Sequence, residues 1–146
     1  MPPRPCRCST NEGGFTLIEL LVVVLIVGIL AAIAIPAFLS QTSKAGDSAA
    51  KTQVGTLETT MEAYANDHHG SFANATIGEL QAIEPTLKDT TTATASIVGT
   101  PTATGFEVQS VAKGTGDTYK LQFENGAVER TCTNANGSTV CKGGTW

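Results

Sequence analysis

Positive charge is scarce in this chain. Nine Lys and Arg stand against 13 Asp and Glu, for a formal charge of −4. No basic run gathers into a patch, which removes nucleic-acid binding from the principal roles. Catalytic groups are scarcer still. No Ser/His/Asp set, phosphate loop or paired-carboxylate site stands out, so neither enzyme activity nor a cofactor is expected. The two histidines, His68 and His69, are adjacent. With Asp67 they lack the ligand spacing of a metal centre and fit better as carbonyl caps or solvent-facing groups at a helix end. Asp117 and Glu124 alone are too little for a calcium loop, so no metal site is expected.

The N-terminus lacks the apolar core that a secretory signal peptide places ahead of its cleavage site. Residues 1–14, MPPRPCRCSTNEGG, are polar and carry Pro2, Pro3 and Pro5. Here the apolar run follows the small residues. A cut between Gly14 and Phe15 would therefore keep the hydrophobic segment on the mature chain as an anchor, with Arg4 and Arg7 holding the leader in the cytoplasm. It would also remove Cys6, Cys8, Arg4, Arg7 and Glu12, leaving seven basic and 12 acidic residues, a charge of −5.

Phe15 to Leu39 is 25 residues with a single ionisable group, Glu19. At roughly 1.5 Å per residue, a helix of that length spans a hydrocarbon core of about 30 Å. Glu19 is the anomaly, because an acid near the bilayer centre costs about 2.5–3.5 kcal/mol, less near an interface. Pro36 removes a backbone hydrogen bond and clashes with the carbonyl four residues earlier, so a kink or local melting is expected near Ala32 to Pro36.

After Leu39 the pattern turns amphipathic. Ala45, Ala49, Val54, Leu57, Met61, Tyr64 and Ala65 form a candidate buried stripe, and Lys44, Asp47, Lys51, Glu58 and Glu62 interleave. No proline interrupts Ala37 to His69, and Gly70 offers a stop. One helix from about Phe15 to His69 would approach roughly 80 Å. Such a helix cannot bury both halves in one small domain, so its apolar half must meet lipid first and other subunits later.

Beyond Gly70, Thr76 can cap a short helix from Ile77 to Ile83, with Glu79 completing a capping box and Pro85 ending it. Thr86 to Thr104 has few large apolar residues and holds at most a short strand near Ala95 to Val98. Strands are expected over Gly105 to Ala112, Thr118 to Glu124 and Ala127 to Thr133. Hairpin turns fall at Gly114-Thr115-Gly116-Asp117 and Asn125-Gly126. Three or four antiparallel strands in series can cover the amphipathic half of the long helix. Asn74-Ala75-Thr76 and Asn136-Gly137-Ser138 match the N-glycosylation pattern, which arises often by chance in Asn/Thr-rich sequence. A bridge between Cys132 and Cys141 would close a small loop and contribute about 2–3 kcal/mol. Two free thiols are the competing reading.

Gly13-Gly14-Phe15-Thr16-Leu17-Ile18-Glu19, with the apolar run and Pro36 behind it, closely resembles the N-terminus of the type IV pilin and type II secretion pseudopilin family. The resemblance implies an α+β fold in which the long helix packs on a small antiparallel sheet. It divides the chain into a leader (1–14), a membrane and filament-core helix (15–39), an amphipathic helix (40–70) and a head of loops and sheet (71–146). It further implies that a prepilin peptidase cuts after Gly14 and methylates the Phe15 amine. Glu19 would then attract that amine of a neighbouring subunit and set the axial register, and the segment around Pro36 would deform during packing. Implied partners are further copies of the chain, the peptidase, the membrane and an inner-membrane assembly platform. The Cys132/Cys141 pair leans toward a pilin, because many pilins staple their terminal segment this way whereas many major pseudopilins use a calcium loop there; a membrane-anchored domain that never polymerises is the third reading.

Overall fold

The computed structural model describes residues 14–135, 140–141 and 144–146. The leader readings at 1–13, Cys6 and Cys8 among them, and the pattern at Asn136-Gly137-Ser138 lie outside the described residues. The chain divides into two compact units between Phe38 and Leu39.

One helix, α1, runs over Leu17–Asp67 and passes through Pro36 without interruption. Within the first unit its large apolar side chains are all exposed, from 81% at Phe15 and Leu17 to 45% at Val22. The run has a mean hydropathy of 3.1 over an 18-residue window and is long and apolar enough to cross a membrane.

In the second unit the same helix buries Gly46, Asp47, Ala50, Val54, Leu57, Thr60, Met61, Tyr64 and Ala65. The stripe from Val54 to Ala65 is the one the spacing predicts. At its N-terminal end the phase differs. Ala45 is exposed and Ala49 half-buried, while Gly46, Asp47 and Ala50 face inward. The cause is a close backbone approach: a Cβ on Gly46 would collide with the carbonyl oxygen of Lys113. Only glycine lets the 113–117 turn rest there, and its neighbour Asp47 is carried inside with it.

The helix ends in a Schellman-type turn in which the Gly70 amide donates to Ala65 O at 2.7 Å. His69 takes the left-handed position at φ 56° and Gly70 follows at φ 83°. His68 stacks on Tyr64 with ring centroids 3.9 Å apart, and its Nδ1 lies 2.8 Å from Tyr64 O.

Helix α2, Ile77–Ile83, starts from a complete Thr76/Glu79 capping box, and Pro85 opens a 3-10 turn over Pro85–Lys88. Four strands follow, β1 (Ala93–Val98), β2 (Gly105–Ala112), β3 (Thr118–Glu124) and β4 (Ala127–Thr133). They form one antiparallel sheet in the order β1-β2-β3-β4, so the fold is α+β. The β3–β4 hairpin turns on Asn125 and Gly126, at φ 48° and 85°, the pair of positive angles that a type I′ turn requires.

Alternation decides which face is covered. Phe106, Val108, Ser110 and Ala112 of β2 and Tyr119 and Leu121 of β3 are buried, and all of these but Ser110 share one apolar cluster with Val54, Leu57 and Met61 of α1. Buried Ser110 is satisfied by donating to Gln53 Oε1 of α1 at 2.7 Å. The C-terminal segment is tied back onto β4. Cys132 and Cys141 are disulfide-bonded, the Cys132 amide donates to Gly144 O at 2.8 Å, and Trp146 Nε1 donates to Lys120 O at 3.3 Å.

Candidate functional site

The functional residues read from the sequence gather at the start of α1. Gly14 precedes the helix, and a Cβ there would meet nothing within 4 Å. Phe15 is 81% exposed. Glu19 lies one turn in, in a shallow apolar depression lined by Phe15, Ile18, Val22 and Val23.

Thr16 is the N-cap of α1, and Glu19 stands at its third helical position. The Thr16 amide donates to Glu19 Oε2 at 2.9 Å and the Thr16 hydroxyl donates to the same oxygen at 2.7 Å. In return the Glu19 amide donates to Thr16 Oγ1 at 3.3 Å. This is a reciprocal capping box, which satisfies helix-start donors that lipid could not. The Thr76/Glu79 box has nearly identical distances of 2.9, 2.8 and 3.3 Å. The sequence reading found the second box and missed the first, although Thr16-Leu17-Ile18-Glu19 has the same spacing as Thr76-Ile77-Gly78-Glu79. Glu19 therefore has a hydrogen-bond partner in its own chain.

The remaining predicted residues lie apart from this group. Pro36 sits within α1, and the Cys132–Cys141 bridge belongs to the second unit. Glu124 ends β3 as an exposed residue, whereas Asp117 is fully buried. Among the described residues no three His, Cys, Asp or Glu side chains form a metal-holding group.

An apolar helix opened by Gly-Phe-Thr and an early acid, continuous with a helix that packs on a four-stranded antiparallel sheet, defines a pilin-like architecture. Comparison with known proteins agrees. Residues 9–35 match the family model for the prokaryotic N-terminal methylation motif. The chain is 44% identical over 73 residues to the type IV major pilin protein PilA of Myxococcus xanthus, covering 49% of this chain and 33% of that one. It is 33% identical over 63 residues to the type II secretion system core protein G of Escherichia coli, covering 43% of each. It is also 36% identical over 58 residues to the competence protein ComGC of Halalkalibacterium halodurans, covering 40% of this chain and 57% of that one. The matched segments thus span between a third and somewhat over half of these relatives. No solved structure matches the chain.

Proposed function

We propose that this chain is the structural subunit of a type IV pilus filament, serving adhesion, surface motility or DNA uptake. It is held first in the cytoplasmic membrane by residues 15–39 and polymerised after cleavage between Gly14 and Phe15. The observation that carries this reading is the exposed apolar surface of residues 15–38, with its single acid, Glu19, placed one turn from the cut. A helix with that surface finds no cover among the described residues of its unit and is stabilised by lipid or by other copies of itself.

Cleavage frees the Phe15 amine, the group that is methylated and that meets Glu19 of a neighbour. A carboxylate left unpaired in an apolar filament core is costly, so the paired register is favoured over slipped ones. The prepilin peptidase and an inner-membrane assembly platform are the partners this pathway requires. Similarity to a type II secretion core protein supports a second reading, a pseudopilin whose short filament moves exported proteins.

Imaging of surface filaments with and without the protein separates these readings. Long filaments that vanish on deletion identify a pilin, and lost secretion without long filaments identifies a pseudopilin. Glu19→Ala is expected to insert in the membrane and fail to assemble, and a normal filament yield from it would sink the register role. Substitution of Gly14 is expected to leave uncut precursor, seen as an unshifted band on a gel.

A further inference from the structure

Exposed charge in the second unit is sorted along α1. The end where the helix stops exposes Glu62, Asp67, Glu79 and Glu124. The end next to the apolar run exposes Lys44 and Lys113, while the acids of that corner, Asp47 and Asp117, are fully buried. The two lysines are far apart in sequence, and the fold brings them to one level. The Lys113 carbonyl is pressed against Gly46, and a Cβ on Gly114 would lie 3.8 Å from the Ser43 Cα. The turn is pinned there by the Lys113 amide, which donates to Thr92 O at 2.8 Å, and by the Thr115 hydroxyl, which donates to Asp47 Oδ1 at 2.6 Å.

Other cations of the unit are engaged elsewhere. Lys51 places its Nζ over the face of Tyr119, 5.2 Å from the ring centroid. Lys120 pairs with Glu107 at 3.0 Å and Arg130 with Glu58 at 2.8 Å. Lys44 and Lys113 form no salt bridge among the described residues. Asp89 is an exposed acid that feels Lys113, and its carboxyl is held below its ordinary range chiefly by Thr91 and more weakly by Lys113. Exposed Lys88 stands next to it in the chain and keeps the local balance positive.

We propose that Lys44 and Lys113 together bind the phosphate of an anionic phospholipid and so seat the second unit on the bilayer, an inference that rests on the membrane reading of residues 15–39. Along α1, Lys44 lies about 7 Å beyond Leu39, and the headgroup layer extends about 5–7 Å past the hydrocarbon core on each side. Lysine stems run along apolar surface while their ammonium groups stay at the polar level. There the Thr42 and Ser43 hydroxyls are already engaged with Leu39 O, at 2.9 and 3.1 Å, which leaves the ammonium groups to meet the phosphate. Lys44 reaches the lipid whether or not the second unit is folded. Lys113 does so only while its turn rests on α1.

The test reconstitutes the full chain in phosphatidylcholine vesicles and compares how strongly it retains spin-labelled phosphatidylglycerol and spin-labelled phosphatidylcholine. The wild type is expected to favour phosphatidylglycerol. Lys44→Gln and Lys113→Gln each lower that preference roughly fivefold, and high salt weakens it. Both side chains are exposed, so the variants are expected to fold. Arg4 and Arg7 of the leader add a background common to every chain, and the differences between chains carry the result. Lys120→Gln, which breaks the pair with Glu107, leaves the preference unchanged. Heating past the melting point of the second unit removes the Lys113 effect and keeps that of Lys44. A chain that inserts and responds to neither substitution overturns the site and leaves the membrane reading standing, whereas a chain that does not insert overturns both. Inorganic phosphate that displaces the labelled lipid better than chloride at equal ionic strength marks a free-phosphate site. Variants that keep the lipid preference and lose self-association mark an interface with the acidic end of a second copy. Either result overturns the lipid assignment.

Discussion

The two halves of α1 use the same kind of residue to opposite ends. Leu25 in the first unit is 58% exposed and Leu57 in the second is at 0%. Apolar surface stabilises only where something covers it, and in the second unit the chain's own sheet does so. In the first unit none of the described residues does, and under the proposed function the cover comes from lipid or another subunit. The acids invert the same contrast. Glu19, among exposed apolar side chains, accepts two hydrogen bonds from Thr16 on its Oε2, whereas Asp47, deep in the core, accepts one from the Thr115 hydroxyl on its Oδ1.

The sharpest way to break this contrast is to truncate one leucine in each half. Leu57→Ala is expected to cost about 2–5 kcal/mol of stability, and Leu25→Ala is expected to leave the unfolding of the second unit within about 0.5 kcal/mol of wild type. Denaturant titration in detergent, followed by Trp146 fluorescence, checks both. Equal losses would erase the distinction between the halves.

A smaller effect, confined to the second unit, is expected from Cys132→Ser. Opening a bridge between residues nine apart removes about 2–3 kcal/mol, and a reducing agent should lower the wild-type midpoint by a similar amount. No change on reduction would mean that the hydrogen bonds of Gly144 and Trp146 hold the C-terminal segment alone.

The smallest effect compares the two capping boxes. Thr76→Ala is expected to cost about 1 kcal/mol, and Thr16→Ala to leave the same melting curve unmoved. Thr76 hydroxyl and amide bonds hold the Glu79 carboxyl below its ordinary range. Thr86 and Thr91 do the same for Glu84 and Asp89. A lowered folded pKa contributes stability that is whole above the unfolded carboxylate range and lost as pH falls through the lowered value. Melting temperature should therefore decline in acid, less steeply in Thr76→Ala than in wild type. Parallel declines would remove Glu79 from the account.

Much of this was legible because local signals agreed with one another. The alternation of Phe106, Val108 and Ser110, the Asn125-Gly126 turn and the Thr76 cap each follow from neighbouring residues, and the strands appear where they point. What was hidden depends on contacts between distant residues. Asp47 reads as part of a polar face, and only the approach of Lys113 to Gly46, 67 positions apart by their numbers, turns it inward. Ala45 and Ala49 are too small to mark a face by themselves. The Thr16 box was legible but was overlooked, because an acid inside an apolar run draws attention to its membrane cost rather than to its place in the first turn. Trp146 carries no periodic signal at all, and it docks on β3 by donating its indole N–H to Lys120 O.

Under the proposed assembly, the Thr16–Glu19 box bears on time as well as register. A subunit in lipid with a naked acid would be under constant pressure to leave, aggregate or be degraded. One whose acid is already occupied by its own first turn can be made early and kept. On that proposal the cell can hold a reserve of subunits in the membrane and draw on it when a filament grows, each arriving amine taking over a bond that Thr16 had been keeping.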